Sequence, residues 1–261
     1  MSDLDSQVNV GLCSKGLVQL TPWIAHIKNA TVLQLCCNSL TTLPPHIAHL
    51  QHLTVLSVAK NLLTSLPLEL GHLTQLVELD VSHNRLTDLP DSLGHLRKLH
   101  ILRVDHNRIA KLPRALGRLS NLVSLDVSDN PLTTLPAELA RLKHLRKLRT
   151  RNCPLTQLTS HSPMALGTPD PPSRVPSLRE LAARKLVATN ATLDLAQLPR
   201  DLAAYLCSYD NCAFCSGPMF DHRVIRSRKF VKNDHVLPLE FELCSSHWST
   251  ERERVKALFS T

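Results

Sequence analysis

At 261 residues, 43% of them hydrophobic, the chain is long enough to bury a core and carry an appendage. A net charge of +8 invites nucleic acid, but aromatics make up only 3% and there are 7 glycines, which disfavours base-stacking surfaces and glycine-rich phosphate loops. No apolar run approaches the roughly 20 residues of a membrane helix, and "MSDLDSQVNV" has no basic segment leading into an apolar one, so a soluble protein of the cytoplasm and/or nucleus is expected.

The positive charge is local. Residues 1–140 hold 11 Lys+Arg and 11 Asp+Glu, whereas Arg141, Lys143, Arg146, Lys147, Arg149 and Arg151 meet no acid within "RLKHLRKLRTR". A single basic pole suits an acidic protein surface as well as it suits phosphate. The cysteines divide too: Cys13, Cys36, Cys37 and Cys153 are scattered, while Cys207, Cys212, Cys215 and Cys244 crowd the end. That distribution predicts reduced thiols and a metal site rather than a disulfide framework.

Along the chain, "LTVLSVAKNLLTSLP", "LVELDVSHNRLTDLP", "LHILRVDHNRIAKLP" and "LVSLDVSDNPLTTLP" align in blocks of 23. Asn38, Asn61, Asn84, Asn107 and Asn130 each lie 23 residues apart, and the next step reaches Cys153. The pattern is LxxLxLxxN/CxL, and residues 8–158 resemble the leucine-rich-repeat family. The expected fold is α/β: a horseshoe solenoid of about 6–7 coils of 23 residues, occupying 1–158. Leu76, Leu79, Val81 and Leu86 point inward, and the asparagines hydrogen-bond to the backbone of adjacent coils. Pro44, Pro67, Pro90, Pro113 and Pro136 begin convex segments that read as one or two helical turns.

The positions between the inward leucines form the concave face. They run from apolar and small (Val32, Gln34, Cys36, Val55, Ser57, Ala59) through acidic and mixed (Glu78, Asp80, Ser82, Ile101, Arg103, Asp105) to Ser124, Asp126 and Ser128. Lys147, Arg149 and Arg151 complete it with positive charge. Candidate contacts to an unidentified protein target are Glu78, Asp80, Arg103, Asp105, Asp126, Lys147, Arg149 and Arg151, because graded charge can orient a protein ligand.

From Thr159 the period stops, and five prolines fall within "TSHSPMALGTPDPPSRVP"; 159–175 reads as a linker. Ser177 with Glu180 forms a capping box that starts a helix. Leu178, Leu181, Ala182, Lys185 and Leu186 share one face of it, and a helix this short must dock on something. "SLRELAARKL" resembles the BC box of the substrate receptors of cullin-RING ubiquitin ligases, and "LPRDLAAYL" resembles the cullin box that follows one, so 176–206 holds both. The resemblance implies that Ser177, Leu178, Leu181, Ala182 and Leu186 bind elongin B/C. It also implies that Leu198, Pro199, Leu202 and Leu206 bind cullin-2, with cullin-5 as the alternative, alongside a RING subunit. Ala182 departs from the usual cysteine of the box.

The segment 207–261 carries Cys212-x-x-Cys215 and Cys244-x-x-His247, 28 residues apart, which is a tetrahedral zinc spacing. The fourth ligand is open among His247, Cys207, His222 and His235. "RVIRSRKF" and "HVLPLEFEL" read as hairpin strands between the two pairs, so a structural zinc in a ribbon-like segment is expected.

No GxGxxG, P-loop or nucleophile elbow is present, so no enzymatic activity is expected of the chain itself. The reading is therefore a ligase adaptor, with a plain scaffold capped by 177–206 as the alternative. Nucleic-acid binding is disfavoured by the acidic residues within the concave face.

Overall fold

The computed structural model describes residues 8–155, 177–188, 198–213, 215–221, 224–232 and 235–243. The chain divides into two units, Met1–Thr156 and Gln157–Thr261.

In the first unit, seven short parallel strands form one sheet: β1 (Val8–Gly11), β2 (Ala30–Gln34), β3 (Val55–Ser57), β4 (Glu78–Asp80), β5 (Ile101–Arg103), β6 (Ser124–Asp126) and β8 (Lys147–Arg149). A two-residue extended stretch, β7 (Leu135–Pro136), lies outside this sheet. Neighbouring strands are neighbours in the repeat, and Leu33, Leu56, Leu79, Leu102 and Leu125 pair residue for residue at their centres. All five are 0% exposed, so each coil's core is completed only by the coil beside it.

The convex turns are 3-10 rather than α-helical. Five-residue turns such as Leu68–His72 and Asp91–His95 follow prolines held near φ −68° to −70° in the extended region. Proline fixes the backbone leaving the strand, and the tighter helix spans the coil with fewer residues.

The asparagine ladder is present as the repeat predicts. Asn107 Nδ2 donates to the carbonyls of Val81 and Val104, and its Oδ1 accepts from Leu86 N at 3.0 Å. Asn61, Asn84 and Asn130 repeat these contacts. At the last rung, Cys153 Sγ donates to Val127 O at 3.2 Å, the bond that Asn130 makes to Val104 one coil earlier. Burial pushes the Cys153 thiol pKa up, which keeps it protonated for this role.

One expectation is corrected. Cys13 and Cys36 are not separate reduced thiols but a disulfide between adjacent coils, 23 residues apart in sequence. The repeat places them at the same register of neighbouring coils, side by side.

The second unit contains helices α1 (Leu178–Ala188) and α2 (Arg200–Cys207), a small antiparallel pair β9 (Asp210–Asn211) and β10 (Pro218–Met219), and the antiparallel hairpin β11 (Val224–Lys232) and β12 (His235–Leu243). The hairpin falls where the sequence put it. Ala183, Leu206 and Phe220 form a buried cluster, with Val187, Leu198, Leu202 and Tyr205 packed against it. The helical segment and the cysteine-rich segment therefore share one small core.

Candidate functional site

The strand register turns the concave face into stripes. Glu78 pairs with Ile101, and Ile101 with Ser124; Asp80 pairs with Arg103, and Arg103 with Asp126. Beyond them, Ser124 pairs with Lys147 and Asp126 with Arg149. The eight target-binding candidates thus lie on one face, as the 23-residue period requires.

Their charges are not independent. Arg103 is bound to Glu78 and lies 3.6 Å from Asp80, and Arg149 reaches Asp126 at 3.2 Å. The middle of the predicted gradient is therefore largely cross-coil ion pairs, with Lys147 and Arg151 exposed at its basic end. Partly exposed pairs of this kind contribute about 1 kcal/mol or less. A bound protein can exchange them for its own at little loss.

A second row runs along the rim, and the sequence reading missed it. Ser14, Cys37, Lys60, His83, His106, Asp129 and Asn152 each precede a ladder position, and all have φ between 53° and 57°. His83 and His106 stack with ring centroids 4.0 Å apart, and Asp105 Oδ2 lies 4.0 Å from His83 Nε2 and 3.0 Å from His106 Nδ1. The 23-residue spacing of the two histidines was the available signal.

On α1, Ser177 Oγ accepts from Glu180 N at 3.1 Å, so the N-cap half of the capping box forms, while the Glu180 carboxylate accepts from Arg184. Glu180 is buried and paired with Arg184 at 2.5 Å, and Ala183 and Val187 face the unit's core. The opposite face carries Ala182 with Leu181, 45% exposed, and Leu186, 39% exposed. Leu178 opens the helix.

Of the cullin-box residues, Pro199 is exposed at the start of α2, whereas Leu198 and Leu202 pack on the core and Leu206 is buried inside it. Leu206 is thus a residue of the unit's own interior rather than of its surface. Tyr205 ties the helices together: it stacks on Phe220, lies 3.9 Å beneath the Arg179 guanidinium and donates to Asp221 at 2.8 Å. Desolvation, with the Asp221 hydrogen bond and charge, pushes its phenol up to about 12.

At the predicted metal segment, Cys212 is buried and Cys215 exposed. The turn between them closes with Ser216 N donating to Cys212 O, and Gly217 N donating to Cys215 Sγ at 3.3 Å. A Cβ on Gly217 would stand 3.1 Å from that sulfur, so glycine leaves room for the sulfur acceptor. Ala213 N donates to Glu242 O, which sets this turn beside the end of β12, one residue before Cys244 in the chain begins the second pair. These features fit a zinc ligand turn. Cys244 and His247 themselves lie outside the described residues.

The comparisons with known proteins bear on the first unit. The leucine rich repeat family model matches residues 28–86 and 97–155. The solenoid is a leucine-rich-repeat array. A leucine-rich-repeat protein of Leptospira interrogans is 36% identical, with TM-score 0.52, over 52% of this chain and 35% of that one. The leucine-rich repeat domain of the type III effector XopL is 28% identical with TM-score 0.53, over 57% of this chain and 54% of that one. A TDR receptor is 27% identical with TM-score 0.50, over 52% and 25%. The chain thus spans about half or less of each neighbour's length. Comparison with the curated proteins finds no match. No helix among the described residues is long and apolar enough to cross a membrane.

Proposed function

We propose that the protein is a substrate-recognition subunit of an elongin B/C–cullin–RING ubiquitin ligase. In this reading the concave face holds a protein target, α1 docks on elongin C, and α2 with its flanking residues meets cullin-2, or cullin-5. The chain is then non-catalytic, and ubiquitin transfer belongs to the other subunits. Protein–protein interaction is the general role that its leucine-rich repeats support.

The observation that carries the reading is the two-sidedness of α1. Its inner face is already used, with Glu180 satisfied by Arg184 and Ala183 in the core. Leu181 and Leu186 nevertheless stay exposed on the other side. A helix that only capped a repeat array would need one apolar face, whereas a helix that also enters a partner's groove needs two. Pro199, exposed at the start of α2, is the part of the cullin box that a cullin can reach without disturbing the core.

Zinc held by Cys212, Cys215, Cys244 and His247 would stabilise the unit that presents these helices, since small cysteine-rich modules draw folding free energy from metal. Cytoplasm and nucleus are the compartments proposed, where such ligases work. The Cys13–Cys36 bond is the contrary observation, because disulfides persist mainly in oxidising compartments.

The test is co-expression with elongin B/C followed by size-exclusion chromatography. Wild type should elute as a complex, and Leu181→Asp with Leu186→Asp should abolish it while leaving the circular dichroism spectrum unchanged, because both side chains are exposed. A wild-type chain that elutes alone returns α1 to the role of a cap and favours the scaffold alternative.

A further inference from the structure

The rim cluster of His83, His106, Asp105 and Asp129 has chemistry that neither the repeat nor the ligase reading uses. One ligand atom from each of His83, Asp105 and His106 can be chosen so that all lie within 4.8 Å of one another. Two donors on one tetrahedral ion of zinc size stand about 3.3 Å apart, given metal–nitrogen and metal–oxygen distances of about 2.0–2.2 Å. The present separations of 3.0 Å and 4.0 Å from Asp105 Oδ2 bracket that value. The two rings are stacked 22° from parallel, so closing the site requires the imidazoles to turn about their side-chain torsions until one nitrogen of each points at the ion beside Asp105.

The backbone beneath is fixed. His83 N donates to Asp105 O at 2.9 Å, His106 N donates to Ser128 O at 3.0 Å, and Asn84 N donates to His106 O at 3.2 Å. Both histidines occupy the left-handed seat before a ladder asparagine, so their Cα positions are set by the solenoid. Nearby cations do not compete for the carboxylate. Arg103 is committed to Glu78 and Asp80, Arg149 to Asp126, and the ion-pair contacts of Asp105 among the described residues are to the two imidazoles.

His106 has a further partner on its other nitrogen. Its Nε2 lies 3.5 Å from Asp129 Oδ2, while Asp129 Oδ1 accepts from Asn152 Nδ2 at 2.7 Å. With Nδ1 toward Asp105 and Nε2 toward an anchored carboxylate, the ring has the arrangement in which metal-binding histidines are oriented from behind.

We infer that His83 Nε2, His106 Nδ1 and Asp105 bind a divalent transition ion of the zinc class on the rim of the concave face, with Asp129 as the positioning residue for His106. Mixed imidazole and carboxylate ligation suits zinc, nickel or copper rather than calcium or magnesium. Three protein ligands leave a position for water or for a side chain of a bound protein. This site is separate from the cysteine-rich segment and stands whether or not the ligase reading does.

The test is calorimetric titration of the full chain with Zn(II), comparing wild type with His83→Ala/His106→Ala and with the control His72→Ala/His95→Ala. The control removes exposed histidines from convex 3-10 turns of the same coils. Wild type and control should take up one more zinc than the rim variant, and Asp129→Asn should weaken that additional site by about ten- to a hundredfold. His83 and His106 are 43% and 49% exposed, so their removal leaves the core intact, which circular dichroism verifies. Equal stoichiometry and affinity in all three proteins, or no rim-dependent binding tighter than about 1 mM, overturns the inference.

Discussion

Asn107 is the residue on which the solenoid's interior most visibly depends. It binds both its own coil and the one before, and it accepts from Leu86 N between them. Asn107→Ala leaves those buried backbone groups unpaired, so a loss of at least about 1–3 kcal/mol is expected in denaturant unfolding of the first unit. Tyr205 is the matching residue of the second unit. Its phenol, raised to about 12 in the folded state from an ordinary 10, stays protonated longer than in the unfolded chain. Its contribution is full below about pH 10 and is lost as pH rises toward about 12. Tyr205→Phe keeps the ring on Phe220 and should flatten the alkaline fall in stability over that window, measured by thermal melts at stepped pH. The ladder was legible in the sequence because each asparagine recurs at a fixed step. The Cys13–Cys36 pair obeys the same step, but a cysteine count without register does not show it.

At the scale of elements, the strands and the hairpin fell where pattern and turn residues put them, and the concave stripes followed from the period alone. The convex turns differed in kind. Apolar spacing over five residues does not separate one turn of α-helix from a 3-10 turn, and the preceding proline with the short span to the next coil decides it. Helix α1 shows a subtler limit. Its leucines marked an apolar face, but the face that packs within the unit is built from Ala183 and Val187 around a buried Glu180–Arg184 pair, which hydrophobicity does not announce. Leu181 and Leu186 on the leucine face stay exposed. The reverse held on α2, where spacing suggested a contact surface and Leu206 turned inward. In the concave face, charges assigned as a gradient proved to be paired across coils, since the sequence gives register but not the reach of an arginine.

At the scale of the whole molecule, the two units differ in what holds them. The first is a continuous leucine core renewed at every coil; among the described residues of the second, the helices share a small buried cluster of Ala183, Leu206 and Phe220, with further buried residues such as Met219 and Leu243, and the turn of the proposed zinc ligands Cys212 and Cys215 lies beside them in sequence. Two thermal transitions are expected. EDTA should lower the one belonging to Gln157–Thr261 and leave the leucine-rich one in place, as scanning calorimetry with and without added zinc can read. Cys212→Ser should reproduce the effect of EDTA without it.

The left-handed seat repeated along the rim carries its own consequence. That backbone conformation tolerates Asn, Asp, His and glycine far better than β-branched side chains, and the seven occupants here are Ser, Cys, Lys, His, His, Asp and Asn. The rim is thus written in a restricted alphabet, mostly polar and without a β-branched member, set by the backbone conformation of the seat before any visitor arrives. The strands beside it accept almost any letter. A protein that settles into the horseshoe meets a variable page with a nearly fixed margin, and new specificities can be composed on the page while the margin supplies the same few polar or metal-binding grips.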